Sequence, residues 1–144
     1  MPAQLLHHVT TQCRDVEKTK DFYVNIVGLT VGDRPPLNFD GYWLYLGDQP
    51  VVHLLGWRAN EKLINDGPSV PADTGRFDHV AFNCVDLKGM RASLIAGGIK
   101  YEERVLPRMN MTQLFYKDPD GVTVECNFGA EETEIVPAGE YKLG

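Results

Sequence analysis

The sequence predicts an α+β fold made of two tandem βαβββ modules, and three observations predict it. The first is a repeated phrase. His8-Val9-Thr10-Thr11-Gln12-Cys13-Arg14-Asp15 and His79-Val80-Ala81-Phe82-Asn83-Cys84-Val85-Asp86 both open with His-Val and then carry an amide, a Cys and an Asp at matching places. The second is a repeated ending, in which a turn signal leads into a β-branched run. Gly47-Asp48-Gln49-Pro50 precedes Val51-Val52-His53-Leu54, and Asp118-Pro119-Asp120-Gly121 precedes Val122-Thr123-Val124-Glu125-Cys126. The third is order: between phrase and ending, each half reads as strand, helix and three strands. A duplication of this kind fixes architecture before any local assignment does.

The elements follow in chain order. Leu5 to Cys13 is rich in β-branched residues and reads as a strand, with Leu6, His8, Thr10 and Gln12 on one face and His7, Val9, Thr11 and Cys13 on the other. Asp15 is suited to cap a helix in which Val16, Thr19, Phe22, Tyr23, Ile26 and Val27 recur near helical spacing. Gly28 ends it as a left-handed cap. Leu29 to Val31 begins a second strand that Arg34-Pro35-Pro36 breaks, and Tyr42 to Leu46 with Val51 to Trp57 form a hairpin. Residues from about 58 to 76 form a linker rich in Gly and Pro, with a short helical turn expected near Glu61 to Ile64.

The second half repeats the order. Phe77 to Cys84 is a strand, Leu87 to Ala96 a helix closed by Gly97-Gly98, and Ile99 to Val105, Thr112 to Tyr116 and Val122 to Phe128 are strands. The expected organisation is one domain over 1–144: module one at about 4–57, the linker, module two at about 77–128, and a peripheral tail at 129–144. Placed side by side, such modules can form one curved mixed sheet with helices outside and a cavity within.

Composition bounds the function. At 144 residues, 43% hydrophobic and 24% charged, the chain has the size and balance of an ordinary globular domain. A net charge of −6 without any Lys/Arg cluster argues against a nucleic-acid partner. No apolar run is long enough for a membrane span and no signal-peptide core opens the chain, so a cytoplasmic location is expected. Cys13, Cys84 and Cys126 are odd in number and form no CxxC pair, and they read as buried apolar residues.

Alternation puts His8, His53, His79 and Glu125 on the cavity face, two from each half, with Gln12, Asn83, Thr123 and Asn127 beside them. His7 falls on the other face and reads as structural. A strand histidine alone is usually a hydrogen-bonded structural residue, but Glu125 within an apolar run is costly to bury unpaired. Four such residues at repeat-related places predict a metal site. Imidazole and carboxylate ligands suit one divalent ion of Fe, Ni, Zn, Co or Mn. Three imidazoles and a carboxylate on an octahedral ion leave two adjacent positions, which fit a substrate binding through neighbouring oxygens. Glu125, able to leave the ion, is the expected base. Arg34, Arg58 and Arg108 read as solvated surface residues.

With these residues in place, the chain resembles the vicinal oxygen chelate superfamily, which includes glyoxalase I, methylmalonyl-CoA epimerase, extradiol dioxygenases, fosfomycin-resistance enzymes and bleomycin-binding proteins. Leu6-His7-His8-Val9 with Asp15, Phe22-Tyr23, Gly28-Leu29, Asp78-His79-Val80-Ala81-Phe82 and Asp118-Pro119-Asp120-Gly121 through Glu125 carry the resemblance over about residues 4 to 128. The resemblance implies the ligand set His8, His53, His79 and Glu125, a small-molecule substrate and a homodimer.

His53 is the departure. Glyoxalase-like members usually place Glu there and the epimerase Gln, while ring-cleaving dioxygenases use only the other three positions. With His53 as ligand, the resemblance implies a lyase, isomerase or epimerase acting through an enediolate on an α-hydroxy or α-keto carbonyl compound, with His53 and Glu125 as the catalytic pair. With His53 off the metal, an Fe(II) extradiol-type dioxygenase on a catechol-like substrate is implied instead. A bleomycin-resistance-like binding protein is the third reading. No obvious equivalent of a glutathione-binding set is found.

Overall fold

In each half of the chain the first and last strands lie side by side and run parallel, with the hairpin strands continuing outward from the last one. The structure, a computed structural model, describes residues 2–56, 74–106 and 109–133. Two compact units divide the chain, Met1–Ala72 and Asp73–Gly144. The expected α+β class and the twofold βαβββ order are both present, as two four-stranded mixed sheets.

In the first unit, β1 (Val9–Gln12) is followed by α1 (Val16–Phe22), β2 (Thr30–Gly32), β3 (Gly41–Leu46) and β4 (Gln49–Leu55), in the sheet order β1-β4-β3-β2. Asp15 caps α1 as its sequence position predicts, its Oδ1 accepting the Lys18 amide at 3.1 Å. The helix does not run unchanged to Val27. From Tyr23 to Val27 it loosens into a π-helical turn, which Gly28 closes at φ 91° with its amide donating to the Tyr23 carbonyl. Tyr23, Phe22 and Thr19 are buried, as are Leu44, Val52 and Leu54 on the strands. Alternation therefore assigns Leu44, Val52 and Leu54 to the helix-covered face and leaves Trp43, Tyr45, Val51 and His53 for the other.

The second unit repeats this plan with β5 (His79–Cys84), α2 (Leu87–Ala96), β6 (Tyr101–Leu106), β7 (Met111–Lys117) and β8 (Thr123–Phe128), ordered β5-β8-β7-β6. A 3-10 turn, Ala130–Glu132, follows. Leu87, Met90 and Leu94 of α2 are buried, together with Leu114, Tyr116, Val124, Cys126 and Phe128 of the sheet. Carboxylates satisfy the open amides of α2's first turn. Asp86, at φ 65°, accepts from Gly89 at 3.0 Å, and Glu132 accepts from Asp86 at 3.1 Å and Leu87 at 2.7 Å. Glu132, within the tail read as peripheral, thus fastens the start of the helix.

The cysteines carry no disulfide, and Cys13 and Cys126 are buried while Cys84 is half-buried. Cys126 holds its proton through a hydrogen bond toward Cys84 and through burial, both of which raise its thiol; the same bond lowers Cys84. Among the described residues no helix is long and apolar enough to cross a membrane. The expected helical turn at Glu61–Ile64, together with Trp57, Arg58 and Arg108, lies outside the described residues.

Candidate metal centre

Each unit brings its own two candidate ligands together. In the first unit the His8 and His53 rings stack at 3.8 Å between centroids with 8° between planes, and Trp43 covers the other side of His53 at 4.1 Å and 12°. The register explains the stack. Trp43 is the cross-strand partner of His53 on β3, Thr10 is its partner on β1, and His8 shares the face of Thr10. His8 lies just before β1 and is exposed, whereas His53 is 7% exposed.

His53 is oriented by its own strand. Its Nε2 lies 3.1 Å from the Pro50 carbonyl, an acceptor, so Nε2 carries the proton and Nδ1 is left with its lone pair. Burial, and then the neighbouring His8 ring, push the His53 pKa below its ordinary value. Both effects favour the neutral form that a metal ligand requires. His7 contacts His8 edge-on, Nδ1 to Nδ1 at 2.8 Å, and its carbonyl accepts from Gln49. Its ring thus lies beside His8 and not on the opposite face that alternation assigns it, because the strand begins only at Val9.

In the second unit His79 Nε2 lies 2.8 Å from Glu125 Oε2, and His79 Nδ1 lies 2.7 Å from Asp78 Oδ2. Glu125 is 8% exposed and needs partners there. Its second oxygen, Oε1, accepts from Gln113 Nε2 at 2.8 Å, and the same amide reaches Asn127 Oδ1 at 3.0 Å. Again the register builds the group. Ala81 and Phe115 are the cross-strand partners of Glu125, and Gln113 and Asn83 are those of Asn127. His79, Asn83, Gln113, Thr123, Glu125 and Asn127 accordingly share one face, while Cys84 and Cys126 lie on the other.

The spacing of His79 and Glu125 suits two ligands of one divalent ion. Ligands about 2.1 Å from one ion and at right angles to each other stand roughly 3 Å apart, close to the spacing of His79 Nε2 and Glu125 Oε2. Asp78 holds Nδ1 of His79 and leaves Nε2 facing Glu125, which is the usual support for a ligating imidazole. Among the described residues no three of His, Cys, Asp and Glu are grouped to hold a metal.

Reading the sequence missed Gln113, Asp78 and the choice of Trp43 as a wall of the site. Asp78 directly precedes His79 and Gln113 alternates with Phe115 on β7, so both were open to inference. Two cavities lie near these elements. One, of about 420 Å³, is lined by Glu17, Tyr42 and the 34–41 segment, where Arg34 donates to the Phe39 carbonyl at 2.9 Å. The other, of about 470 Å³, includes Lys100 and Lys117 with Phe115 and Thr123, the register partners of Glu125 and His79.

Comparison with known proteins finds relatives in sequence and in fold. A sequence model described as the Glyoxalase/Bleomycin resistance protein/Dioxygenase superfamily matches residues 5–126. The protein named Glyoxylase I 4 of Arabidopsis thaliana is 33% identical over 136 residues, 92% of this chain and 74% of its own length. The fosfomycin resistance protein FosX of Listeria monocytogenes shares the fold at a TM-score of 0.65 and 18% identity, over 94% of this chain and all of FosX. Lactoylglutathione lyase from Agrobacterium tumefaciens does so at 0.61 and 17%, over 93% and 100%.

Proposed function

The chain belongs to the glyoxalase/bleomycin resistance protein/dioxygenase superfamily, and from that premise we propose that it is a divalent-metal-dependent enzyme of the lyase, isomerase or epimerase kind. His8, His53, His79 and Glu125 are its metal ligands. The substrate is a small α-hydroxy or α-keto carbonyl compound that binds through neighbouring oxygens. One observation carries the reading: each repeat brings one ligand from its opening phrase against one from its closing strand, His8 on His53 and His79 on Glu125.

The ion, when bound, supplies a Lewis acid that holds negative charge as a proton leaves carbon. The residues of the chain do the rest. Glu125 takes the proton on a carboxylate oxygen and returns it, giving the enediolate and then the product. Gln113 keeps the other oxygen of Glu125 in place while this happens. Asp78 fixes the tautomer of His79, Pro50 that of His53, and Trp43 holds the His53 plane. We place the enzyme in the cytoplasm and as a homodimer, in line with the family resemblance.

The test begins with metal content per chain in wild type and His53→Ala. About one Zn, Ni, Co, Mn or Fe per chain, much weakened in the variant, is the expected result, with solvent deuterium entering product in the active enzyme. A product free of deuterium counts against the enediolate. A second reading, an Fe(II) extradiol-type dioxygenase, draws on the hydrogen bond of His53 to Pro50 and its place between two rings, which suit a residue standing beside the metal. Iron retained in His53→Ala and turnover that requires oxygen select it. Failure of both forms to take up metal would leave a small-molecule binding protein.

A further inference from the structure

On the same face of the second sheet as Glu125 lies a cation that the mechanism does not use. Arg104 of β6 is the register partner of Gln113, the residue that holds Glu125. Its guanidinium lies over the Phe115 ring, Cζ 4.9 Å from the centroid, and the edge of that ring contact continues to His79 at 6.1 Å. Arg104 Nε is out of solvent and, among the described residues, has no hydrogen-bond partner. A buried N–H of a charged group left unpaired is costly, and native proteins keep few of them.

Nε is closed to a ligand, so an anion on this face would meet the guanidinium of this half-buried residue through its terminal nitrogens. The planar fork of a guanidinium matches a carboxylate or phosphate through two parallel hydrogen bonds, and stacking on Phe115 fixes the plane in advance. We infer that Arg104 anchors a remote anionic group of the substrate, a carboxylate or phosphate carried on an arm beyond the two neighbouring oxygens. The inference deepens the proposed function and rests on it. It narrows the substrate class to α-hydroxy or α-keto carbonyl compounds that carry a negative charge on a remote arm.

The test compares 2-hydroxyglutarate with 2-hydroxypentanoate, which share chain length and vicinal oxygens and differ in a terminal carboxylate against a methyl group. Titrated calorimetrically into Zn-loaded protein, 2-hydroxyglutarate is expected to bind about tenfold or more tightly. Arg104→Met should abolish that preference without weakening 2-hydroxypentanoate or the metal, and Arg104→Lys should restore part of it. Equal binding of the two acids by wild type overturns the inference, as does a preference that survives Arg104→Met. So does a preference lost in Lys100→Met/Lys117→Met but retained in Arg104→Met.

If the protein takes up no metal, the metal reading fails on its own and the arginine is judged with inorganic phosphate. Phosphate bound by metal-free wild type, lost in Arg104→Met and kept in part by Arg104→Lys, upholds the anchor. Phosphate binding absent from wild type, or unchanged in the variants, removes it.

Discussion

His53 ties the acid–base behaviour of the protein to its packing. Burial, followed by the neighbouring His8 ring, lowers its pKa in the folded chain, whereas the unfolded chain restores the ordinary value near 6.5. Below that value the unfolded state binds more protons, so metal-free protein loses stability as pH falls from about 6.5 toward the folded pKa. Chemical denaturation at pH 7.5 and at pH 5.5 should show a larger loss in wild type than in His53→Gln. Equal losses would mean that the ring is protonated alike in both states. Glu125 makes the sharper functional prediction. Glu125→Gln keeps an acceptor for Gln113 but removes the base, and should lower kcat by about a hundredfold or more with the fold intact. A rate near wild type would place the base elsewhere.

The elements were legible where side chains alternate and opaque where backbone chemistry decides. Both helices and the order of elements along the chain follow from spacing, and the face shared by His79, Asn83, Thr123, Glu125 and Asn127 follows from period two alone. The start of β1 does not. Leu5 to His8 reads as strand, yet the ladder begins at Val9 opposite Val52. Continued backward, it would bring Pro50 opposite His7, and proline has no amide hydrogen to give; the Pro50 carbonyl is already taken by His53. The loosening of α1 at Tyr23–Val27 was hidden too, because α- and π-turns carry similar apolar spacing over one turn. Partners such as Gln113 and Arg104 depend on which strand lies beside which, and that is a matter of pairing, not of composition.

The helix caps give a prediction whose sign is the test. Gly→Ala inside a helix ordinarily stabilises by roughly 0.5–1 kcal/mol. At Gly89 a Cβ would stand 2.1 Å from Asp86 Oδ2, the side chain that caps α2. Gly89→Ala should therefore destabilise by about 1 kcal/mol, the worth of a lost cap. A thermal melt decides it: a raised Tm would show that Asp86 can turn aside without cost.

For the molecule as a whole, the repeat predicts that neither unit suffices. His8→Ala in the first unit and Glu125→Ala in the second should each weaken divalent-metal binding by about tenfold or more, measured by competition with a chelating dye. A loss confined to variants of one unit would refute the four-ligand set.

The parallel pairing of first and last strands has a kinetic consequence. Val9 meets Val52 and His79 meets Thr123 only when the two ends of a module have found each other, and such distant pairings close late because chain entropy opposes them. Those same pairings seat His8 by His53 and His79 by Glu125. If these four residues are the metal ligands proposed above, a refolding chain can bury its hairpins and helices while still unable to grip a metal, and the appearance of metal affinity during refolding becomes a clock for the final strand closure.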